Sequence, residues 1–419
     1  MKTKFNLSED WATVVIAFAS IFVILAGLRP VLPKLSWENG SDLTGLLGAG
    51  SLWLVLGGLF LWIFFSYLLG RGLMGQPLEF SKSLKGMLFV FLITLLAQLI
   101  TGNKAVSDLG LEVVLFSLLL GLFISNVLRV PTWAKPALQS EYYIKTGLVL
   151  LGCRIIFGDI IDAGKLGLIQ SVVVVFTVWY SAYFICKKLG LDEELRMMVS
   201  SAVSICGVSA AIATSGAIEG DSKKLSYVIS LVLVVAIPMM LFMPYIAMWL
   251  DLPVAVAGAW MGGTIDTTGA VVAAGTLLGE EAVTYATVVK FSQNVLLGLA
   301  AFAISIYWTY TNKESAVEKP GLKTIWKRFP KFVLGFVLAS LLFSFVLTPT
   351  LASDTLKEVS ASVKGIQTVW FGLAFTCIGL ETRFADIFKM GNGRPALAFI
   401  TAQLVNVLIT LVVAYLVFS

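Results

Sequence analysis

The chain has 419 residues, of which 58% are hydrophobic and only 13% are charged. Its mean hydropathy is +0.91, and an ordinary soluble domain carries about 25% charged residues. One soluble core cannot bury this much apolar surface, so the composition excludes a soluble protein and predicts a polytopic, all-α membrane protein. The net charge of +5 comes from scattered basic residues, which argues against nucleic-acid binding.

Histidine and the common catalytic motifs are missing from the chain. The chain has no histidine, which removes the commonest metal ligand and the usual proton carrier at neutral pH. Its four cysteines fall in apolar segments without metal-binding spacing. No zinc-protease, serine-hydrolase, intramembrane aspartyl-protease or Walker motif occurs. We therefore expect no enzyme activity, no metal site and no resident cofactor.

Thirteen apolar segments are candidates for membrane-spanning helices, each of which needs roughly 20 mostly apolar residues. In chain order they cover 10–28, 46–69, 84–101, 110–127, 143–157, 167–187, 195–216, 224–249, 254–278, 282–310, 331–347, 357–380 and 396–418.

The basic residues predict the orientation of these helices. With thirteen spans, nineteen Lys and Arg residues lie on the side of the N-terminus and seven on the other side. Cytoplasmic loops carry an excess of Lys and Arg. The sequence therefore predicts a cytoplasmic N-terminus and an external C-terminus.

Two segments are unusual for lipid-facing helices because they are rich in glycine and hydroxyl groups. They are SSAVSICGVSAAIATSG (200–216) and GGTIDTTGAVVAAG (262–275). Small residues also serve tight helix packing, which is an equal alternative for the serine and alanine positions. Packing does not explain Asp266, because a carboxylate near the membrane centre costs about 2.5–3.5 kcal/mol. We therefore expect both segments to be broken near the midplane and to line a polar cavity.

Helix N-termini that point into such a cavity bind anions without a formal positive charge. Lys290, in ATVVKFSQN (286–294), lies eight to nine residues inside its predicted helix. It is either a counter-ion for an acid such as Asp266 or a direct ligand for an anion, unless its side chain reaches an interface. The predicted substrate-binding residues are Ser204, Cys206, Gly207, Val208, Ser209, Gly263, Thr264, Thr267, Thr268, Lys290 and Gln293. Asp266 is the predicted site of a coupling ion, either H⁺ or Na⁺.

A weak similarity between two segments of the chain, which we call the internal echo, suggests a repeat. GLVLLGCRI (147–155) and LAFTCIGLET (373–382) each run into a glycine that is followed two positions later by a charged residue. Their predicted helices cross the membrane in opposite directions. Inverted repeats of this kind are typical of secondary transporters.

The chain resembles the YeiH-like sulfate exporter family of bacterial inner-membrane proteins. The resemblance rests on TGLVLLGCRI (146–155), SAVSICGVSAAIA (201–213), GGTIDTTGAVVAAG (262–275), ATVVKFSQNVLL (286–297) and LAFTCIGLETRF (373–384). It implies transport of a small anion such as sulfate, and a fold with inverted repeats and crossed, broken helices. It also divides the chain into two extra N-terminal helices within 1–83 and a transporter core at 84–419. Many members carry a His-Glu pair where this chain has Asp266 and Thr267.

The sequence thus favours a secondary transporter that exports a small inorganic anion by alternating access in the bacterial inner membrane. Its expected partners are the anion and the membrane lipids. The sequence leaves open whether the chain forms a homo-oligomer. The alternatives are an Na⁺- or H⁺-coupled carrier of small organic acids, an anion channel and a membrane scaffold that transports nothing.

Overall fold

The computed structural model describes residues 6–30, 32–33, 35–108, 113–311, 326, 329–383 and 393–419. These residues form α-helices joined by short π- and 3₁₀-helical segments, and no strand occurs among them. The protein is therefore all-helical, as predicted. Its contacts divide the chain into two compact units, Met1–Phe157 with Lys331–Arg383 and Gly158–Pro330 with Phe384–Ser419. Both predicted N-terminal helices belong to the first unit, so the predicted boundary at 83/84 does not coincide with this division.

The first unit contains nine α-helices of five or more residues among its described residues. They are α1 (Glu9–Leu25), α2 (Gly40–Gly48), α3 (Gly50–Leu73), α4 (Phe80–Thr101), α5 (Lys104–Asp108), α6 (Val113–Phe123), α7 (Ser140–Gly152), α15 (Lys331–Leu341) and α16 (Ser353–Glu381). Helix α6 continues as a π-helix (Ile124–Leu128), a 3₁₀-helix (Thr132–Ala137) precedes α7, and α15 continues as a π-helix (Leu342–Leu347) and one final turn (Thr348–Thr350).

The two segments of the internal echo end α7 and α16, which lie side by side in the first unit. Ser140, at the start of α7, donates a hydrogen bond of 2.6 Å to Glu381 at the end of α16. Further along, a methyl group on Gly147 would meet the ring of Phe371 at 2.4 Å. The two helices therefore run antiparallel, and the inverted repeat itself stays a prediction.

The second unit is built from α8 (Phe157–Lys188), α9 (Glu193–Ser201), α10 (Val208–Ile218), α11 (Ser222–Trp249), α12 (Val254–Thr264), α13 (Thr268–Leu278), α14 (Glu280–Thr311) and α17 (Arg394–Phe418). A π-helix (Ala202–Cys206) continues α9.

Helices α8 and α14 run parallel and define the two ends of this unit. A methyl group on Gly167 of α8 would lie 3.3 Å from Val289 of α14. Further along both helices, Val175 and Leu297 belong to one apolar cluster. The end of α8 and the start of α14 therefore lie at opposite ends of the second unit.

Helices α9 and α10 form a hairpin, which we call the first hairpin. The amide of Asp221, just after α10, donates a 3.0 Å hydrogen bond to Glu194 at the start of α9. Lys224 binds Asp192 at 2.9 Å across the same base. A continuous helix from 193 to 218 would separate these residues by about 38 Å. The chain therefore enters from the end of the unit where α8 ends, turns at Gly207 and returns to that end.

These contacts hold together the open end of the first hairpin, which carries acidic residues. Asp192 caps α9 by accepting a hydrogen bond of 3.2 Å from the amide of Leu195. Burial alone would raise the pKa of the Asp192 carboxyl, but the hydrogen bonds from Lys224 and from Leu195 hold it below its ordinary value. The carboxylate form therefore stays charged and keeps the two ends of the hairpin together.

Helices α12 and α13 form a second hairpin that enters from the opposite end. Gly258 of α12 packs against Ala282, and Gly275 of α13 packs against Val283. Both glycines thus lie beside the start of α14, whereas a straight helix would separate them by about 26 Å. The turn lies deeper, where Gln293 of α14 donates a 2.9 Å hydrogen bond to the carbonyl of Gly263.

The hairpins correct two of the thirteen predicted spans. The described residues of each of the thirteen segments are mostly helical, but 195–216 and 254–278 turn back instead of crossing. The reason is that glycine and extended residues interrupt both helices at their centres. Among the described residues eight helices are long and apolar enough to cross a membrane, which fits a multi-pass membrane protein. Because the first hairpin does not cross, Lys223 and Lys224 lie on the same side as the N-terminus. They join the nineteen basic residues of that side and leave the seven of the other side. The excess of positive charge on the side of the N-terminus, from which the orientation was predicted, therefore increases.

Candidate functional site

The tips of the two hairpins meet inside the second unit at Gly207 and Asp266. A methyl group on Gly207 would lie 3.0 Å from Cβ of Asp266 and 2.7 Å from Val232 on α11. The predicted breaks near 204–209 and 263–268 are therefore both present and in contact. They are hairpin turns, which corrects the expectation that 195–216 and 254–278 each span the membrane.

Local sequence explains why each helix turns. Gly207 has φ +60° and ψ −111°, a backbone conformation that L side chains rarely adopt. In the second hairpin, Ile265 and Thr267 are extended, so the helix stops at Thr264. The hydroxyl of Thr267 then accepts a 3.3 Å hydrogen bond from the amide of Ala270 and starts α13.

Each tip brings together the carbonyl end of one helix and the amide end of another, and Lys290 caps a carbonyl end. Lys290 is 1% exposed, so its side chain does not reach an interface. Its ammonium donates to the carbonyl of Ile205 at 3.1 Å and to Oε1 of Gln293 at 2.7 Å. One lysine and one glutamine on α14 thus link the carbonyl ends of both hairpins.

Helix α17 caps the remaining carbonyls with amide side chains that the sequence analysis did not single out. Gln403 donates to the carbonyl of Thr264 at 2.9 Å, and Asn406 donates to the carbonyl of Val203 at 2.9 Å. Thr410 holds Asn406 through a 2.7 Å hydrogen bond. Buried polar groups in a membrane helix need partners, but an uncharged amide in apolar segment 396–418 is a weaker signal than the carboxylate of Asp266.

Several buried oxygen atoms around the tips have no hydrogen-bond partner within the described parts of the chain. Both carboxylate oxygens of Asp266 belong to this group, although its side chain is only 1% exposed. The others are the Ser204 hydroxyl, Oε1 of Gln403 and Oδ1 of Asn294. Unsatisfied buried polar groups cost free energy, so this cluster is suited to a proton, a cation or a polar ligand.

Asp266 and Lys290 are both buried, yet no salt bridge joins these two described residues. The lysine is turned to Ile205 and Gln293 instead. The predicted direct counter-ion role of Lys290 is therefore not seen as a contact. The two opposite charges still lie in the same low-dielectric site and attract each other across it.

The accessible side of the tips carries amide ends. Ser209 is exposed, and Val208, Thr267 and Thr268 are partly exposed. Helices α10 and α13 both begin here, and the first amides of a helix have no partner inside it. Gly207 supplies no side-chain cap for α10. This side therefore presents positive partial charge and hydroxyl groups.

The structure places the other predicted residues around this centre in different roles. Ser204 and Gly207 lie at the first tip, and Asn294 donates to the Thr268 hydroxyl at 3.4 Å. The hydroxyl of Thr264 donates to Trp260 at 2.6 Å, so Thr264 offers its carbonyl and not its hydroxyl. Cys206 packs in an apolar cluster with Val175, Ile205, Ala210 and Leu297. Among the described residues, no three His, Cys, Asp or Glu side chains come together as a metal site would require.

The chain is similar to membrane proteins of several bacteria. A UPF0324 membrane protein of Rhodopirellula baltica is 39% identical over 340 residues, which cover 79% of this chain and 62% of that relative. One of Nitratidesulfovibrio vulgaris is 38% identical over 367 residues, with coverage of 84% and 62%. The chain thus spans less than two thirds of these two relatives. One of Clostridium tetani is 25% identical over 343 residues, with coverage of 78% and 95%.

No solved structure matches this chain. The family described as Conserved hypothetical protein 698 matches residues 85–398, a region that contains both hairpins and Lys290. Because this match covers most of the chain, the protein belongs to the Conserved hypothetical protein 698 family.

Proposed function

We propose that the chain is a secondary transporter of a small inorganic anion and binds it where the two hairpin tips meet. One observation carries this proposal. Buried Asp266, with both oxygens unpartnered among the described residues, lies at the tip of the second hairpin and against the tip of the first, and the two hairpins come from opposite ends of one unit. A chain does not hold such a carboxylate at membrane depth for stability, because its burial is costly.

The electrostatics of the tips favour an anion as the substrate. The carbonyl ends are occupied by Lys290, Gln293, Gln403 and Asn406. The amide end of α10 has no side-chain cap, whereas Thr267 caps one amide of α13, and both helix starts lie on the accessible side with Ser209. Open helix N-termini attract anions through their aligned dipoles. A small oxyanion such as sulfate, which the sequence resemblance implies, offers several acceptor oxygens to these donors.

Asp266 supplies the coupling in this proposal. Its negative charge would repel an anion bound at the neighbouring amide ends. A proton or an Na⁺ on Asp266 removes that repulsion, so anion and cation bind together more tightly than either alone. The unpartnered oxygens of Ser204, Gln403 and Asn294 are further acceptors for this cation.

The two hairpins give a route to alternating access. Each one reaches the tips from its own end of the second unit. The first hairpin would control entry from the end with Lys187 and Lys188, and the second would control entry from the other end. Opening one tip at a time exposes the anion to one side only, as a secondary transporter requires. In this proposal the chain works in the bacterial inner membrane with its N-terminus in the cytoplasm.

A ligand screen by thermal unfolding tests the substrate class. Purified protein is heated with sulfate, sulfite, phosphate, chloride, acetate or succinate, each with and without Na⁺ and at two pH values. A ligand of the folded state raises the midpoint by mass action. We expect a sulfur oxyanion to raise it, and we expect Asp266→Asn to remove the dependence of that shift on Na⁺ or pH. A shift only with succinate or acetate would favour the organic-acid carrier, and no shift with any anion would contradict the proposal.

A further inference from the structure

A groove of about 490 Å³ runs along the outside of the second unit between α8 and α14. Its α8 side is aromatic and its α14 side is aliphatic, apart from one tyrosine. The lining residues are Val175, Phe176, Trp179, Tyr180, Tyr183, Phe184, Met197, Leu296, Leu299, Ala300, Ala303, Ile304 and Tyr307. The volume lies within the range of about 300–1,000 Å³ that is usual for small-molecule sites.

The groove lies where membrane lipid would surround the chain. Helices α8 and α14 are both long and apolar enough to span a membrane. Phe176 is 62% exposed, and Phe184 is 57% exposed. The stretch from Val175 to Phe184 is about 14 Å long along the helix, which is roughly half the hydrocarbon thickness of a bilayer. The groove therefore has the length of one leaflet.

One end of the groove is basic. Lys187 and Lys188 are exposed in the last turn of α8, one turn beyond Phe184. The guanidinium of Arg196 lies 5.6 Å from the centre of the Tyr183 ring and donates to its hydroxyl at 3.5 Å.

The acidic groups nearby do not neutralise this end. Asp192 and Glu194 both bind Lys224, at 2.9 and 3.3 Å, and Glu193 is the remaining carboxylate of that turn. Neither Lys187 nor Lys188 forms an ion pair with a described residue. The basic end thus keeps an excess of positive charge.

The other end of the groove reaches the candidate functional site. Val175, which lines the groove, belongs to the apolar cluster that contains Ile205 and Cys206 of the first hairpin tip. An occupant of the groove would therefore contact the apolar cluster that also contains Ile205, whose carbonyl Lys290 caps.

We propose that this groove binds one anionic phospholipid, with an acyl chain along the aromatic wall and the phosphate at Lys187, Lys188 and Arg196. An apolar groove open to the membrane fills with hydrocarbon, and aromatic side chains suit the region below the headgroups. The basic end selects an anionic headgroup, because anionic lipid attracts nearby Lys and Arg. The lipid packs against the apolar cluster that contains Ile205 and Cys206 of the first hairpin tip.

Native mass spectrometry of the purified full chain tests this without any measurement of transport. The probes are dioleoyl phosphatidylglycerol and dioleoyl phosphatidylcholine, which differ only in headgroup. Ala303→Phe fills the groove. Val295→Phe is the control, because it adds a ring at an exposed position of the same helix that does not line the groove. We expect the first substitution to remove one tightly bound lipid and the second to leave it, with both variants unfolding at the midpoint of the parent when no lipid is added.

A second pair of variants tests the headgroup. Replacing Lys187 and Lys188 with Gln should weaken phosphatidylglycerol binding by about fivefold per lysine and leave phosphatidylcholine unchanged. Lys165→Gln, at the other end of α8, is the control. Equal binding of the two lipids, or equal lipid loss with Val295→Phe and Ala303→Phe, would overturn the proposal. So would loss of a dimer in Ala303→Phe with unchanged lipid binding, because the groove would then be a protein interface. These outcomes do not depend on whether the hairpin tips bind an anion.

Discussion

Gly207 and Asp266 lie against each other where the two hairpins meet, and there is no room for a larger side chain at position 207. A methyl group there would lie 3.0 Å from Cβ of Asp266 and 3.2 Å from its carbonyl oxygen. The backbone at Gly207 also has φ +60°. The position of the buried carboxylate thus depends on a glycine that lies 59 residues earlier in the chain.

Gly207→Ala should therefore destabilise the protein and displace Asp266. The unfavourable backbone conformation alone costs about 1–3 kcal/mol, and the contact with Val232 adds to it. Gly216→Ala is the matched control, because nothing lies within 4 Å of a methyl group there. In the last turn of α10 it should be neutral or stabilise by up to about 1 kcal/mol. Thermal unfolding of both variants measures this, and equal midpoints would contradict the tip geometry.

Lys290 and Asp266 should depend on each other although they do not touch. Lys290→Met leaves the Ile205 carbonyl without its donor and Asp266 without a nearby positive charge. Asp266→Asn in the same chain removes the buried negative charge that Lys290→Met leaves uncompensated. We expect the double variant to be more stable than Lys290→Met by about 1 kcal/mol or more. Unfolding of the parent, both single variants and the double variant gives this coupling. Strictly additive effects would mean that the two charges act independently.

The hairpin topology makes a prediction that separates it from thirteen crossing helices. Lys223 follows the first hairpin and should lie in the cytoplasm, whereas thirteen spans would place it outside. In a background without the native cysteines, Lys223→Cys should resist a membrane-impermeant thiol reagent added to intact cells. Glu281→Cys, exposed at the start of α14, should react in both topologies and is the control. Rapid labelling of Lys223→Cys from outside would contradict the hairpin.

Ser209 should lie on the path of the anion. All four native cysteines are buried, so a cysteine at an exposed position can be followed after their removal. Ser209→Cys should react with a small thiol reagent, and a bound anion should slow that reaction at least several-fold. Ile212→Cys is the control, because Ile212 is 51% exposed and lies almost one turn further along α10. It should react at the same rate with and without the anion, and protection at both positions would indicate a general conformational change.

Sequence reasoning located the breaks because glycine and hydroxyl groups are costly in a lipid-facing helix unless they serve a turn or a cavity. It could not tell a turn from a kink, since 195–216 and 254–278 are long enough to cross a membrane. The contacts that decide this, Glu194 with Asp221 and Gly258 beside Ala282, join residues that no local pattern relates.

The caps on the hairpin tips show the same limit. Lys290 was found because a buried charge is rare, whereas Gln403 and Asn406 look ordinary in an apolar helix until their carbonyl partners are known. The hydroxyl of Thr264 looked like a ligand group, but a helical threonine readily bonds to its own backbone, as it does here with Trp260.

The role of Asp266 in coupling is the central claim, and transport in liposomes tests it most directly. The parent and Asp266→Asn are reconstituted, and two quantities are measured for the anion identified by the ligand screen. One is accumulation driven by an H⁺ or Na⁺ gradient, and the other is exchange of labelled for unlabelled anion without a gradient. The amide keeps the size of the side chain and can still form hydrogen bonds, so the variant should fold. We predict that Asp266→Asn loses gradient-driven accumulation and keeps exchange. Full gradient-driven accumulation by Asp266→Asn would contradict the account.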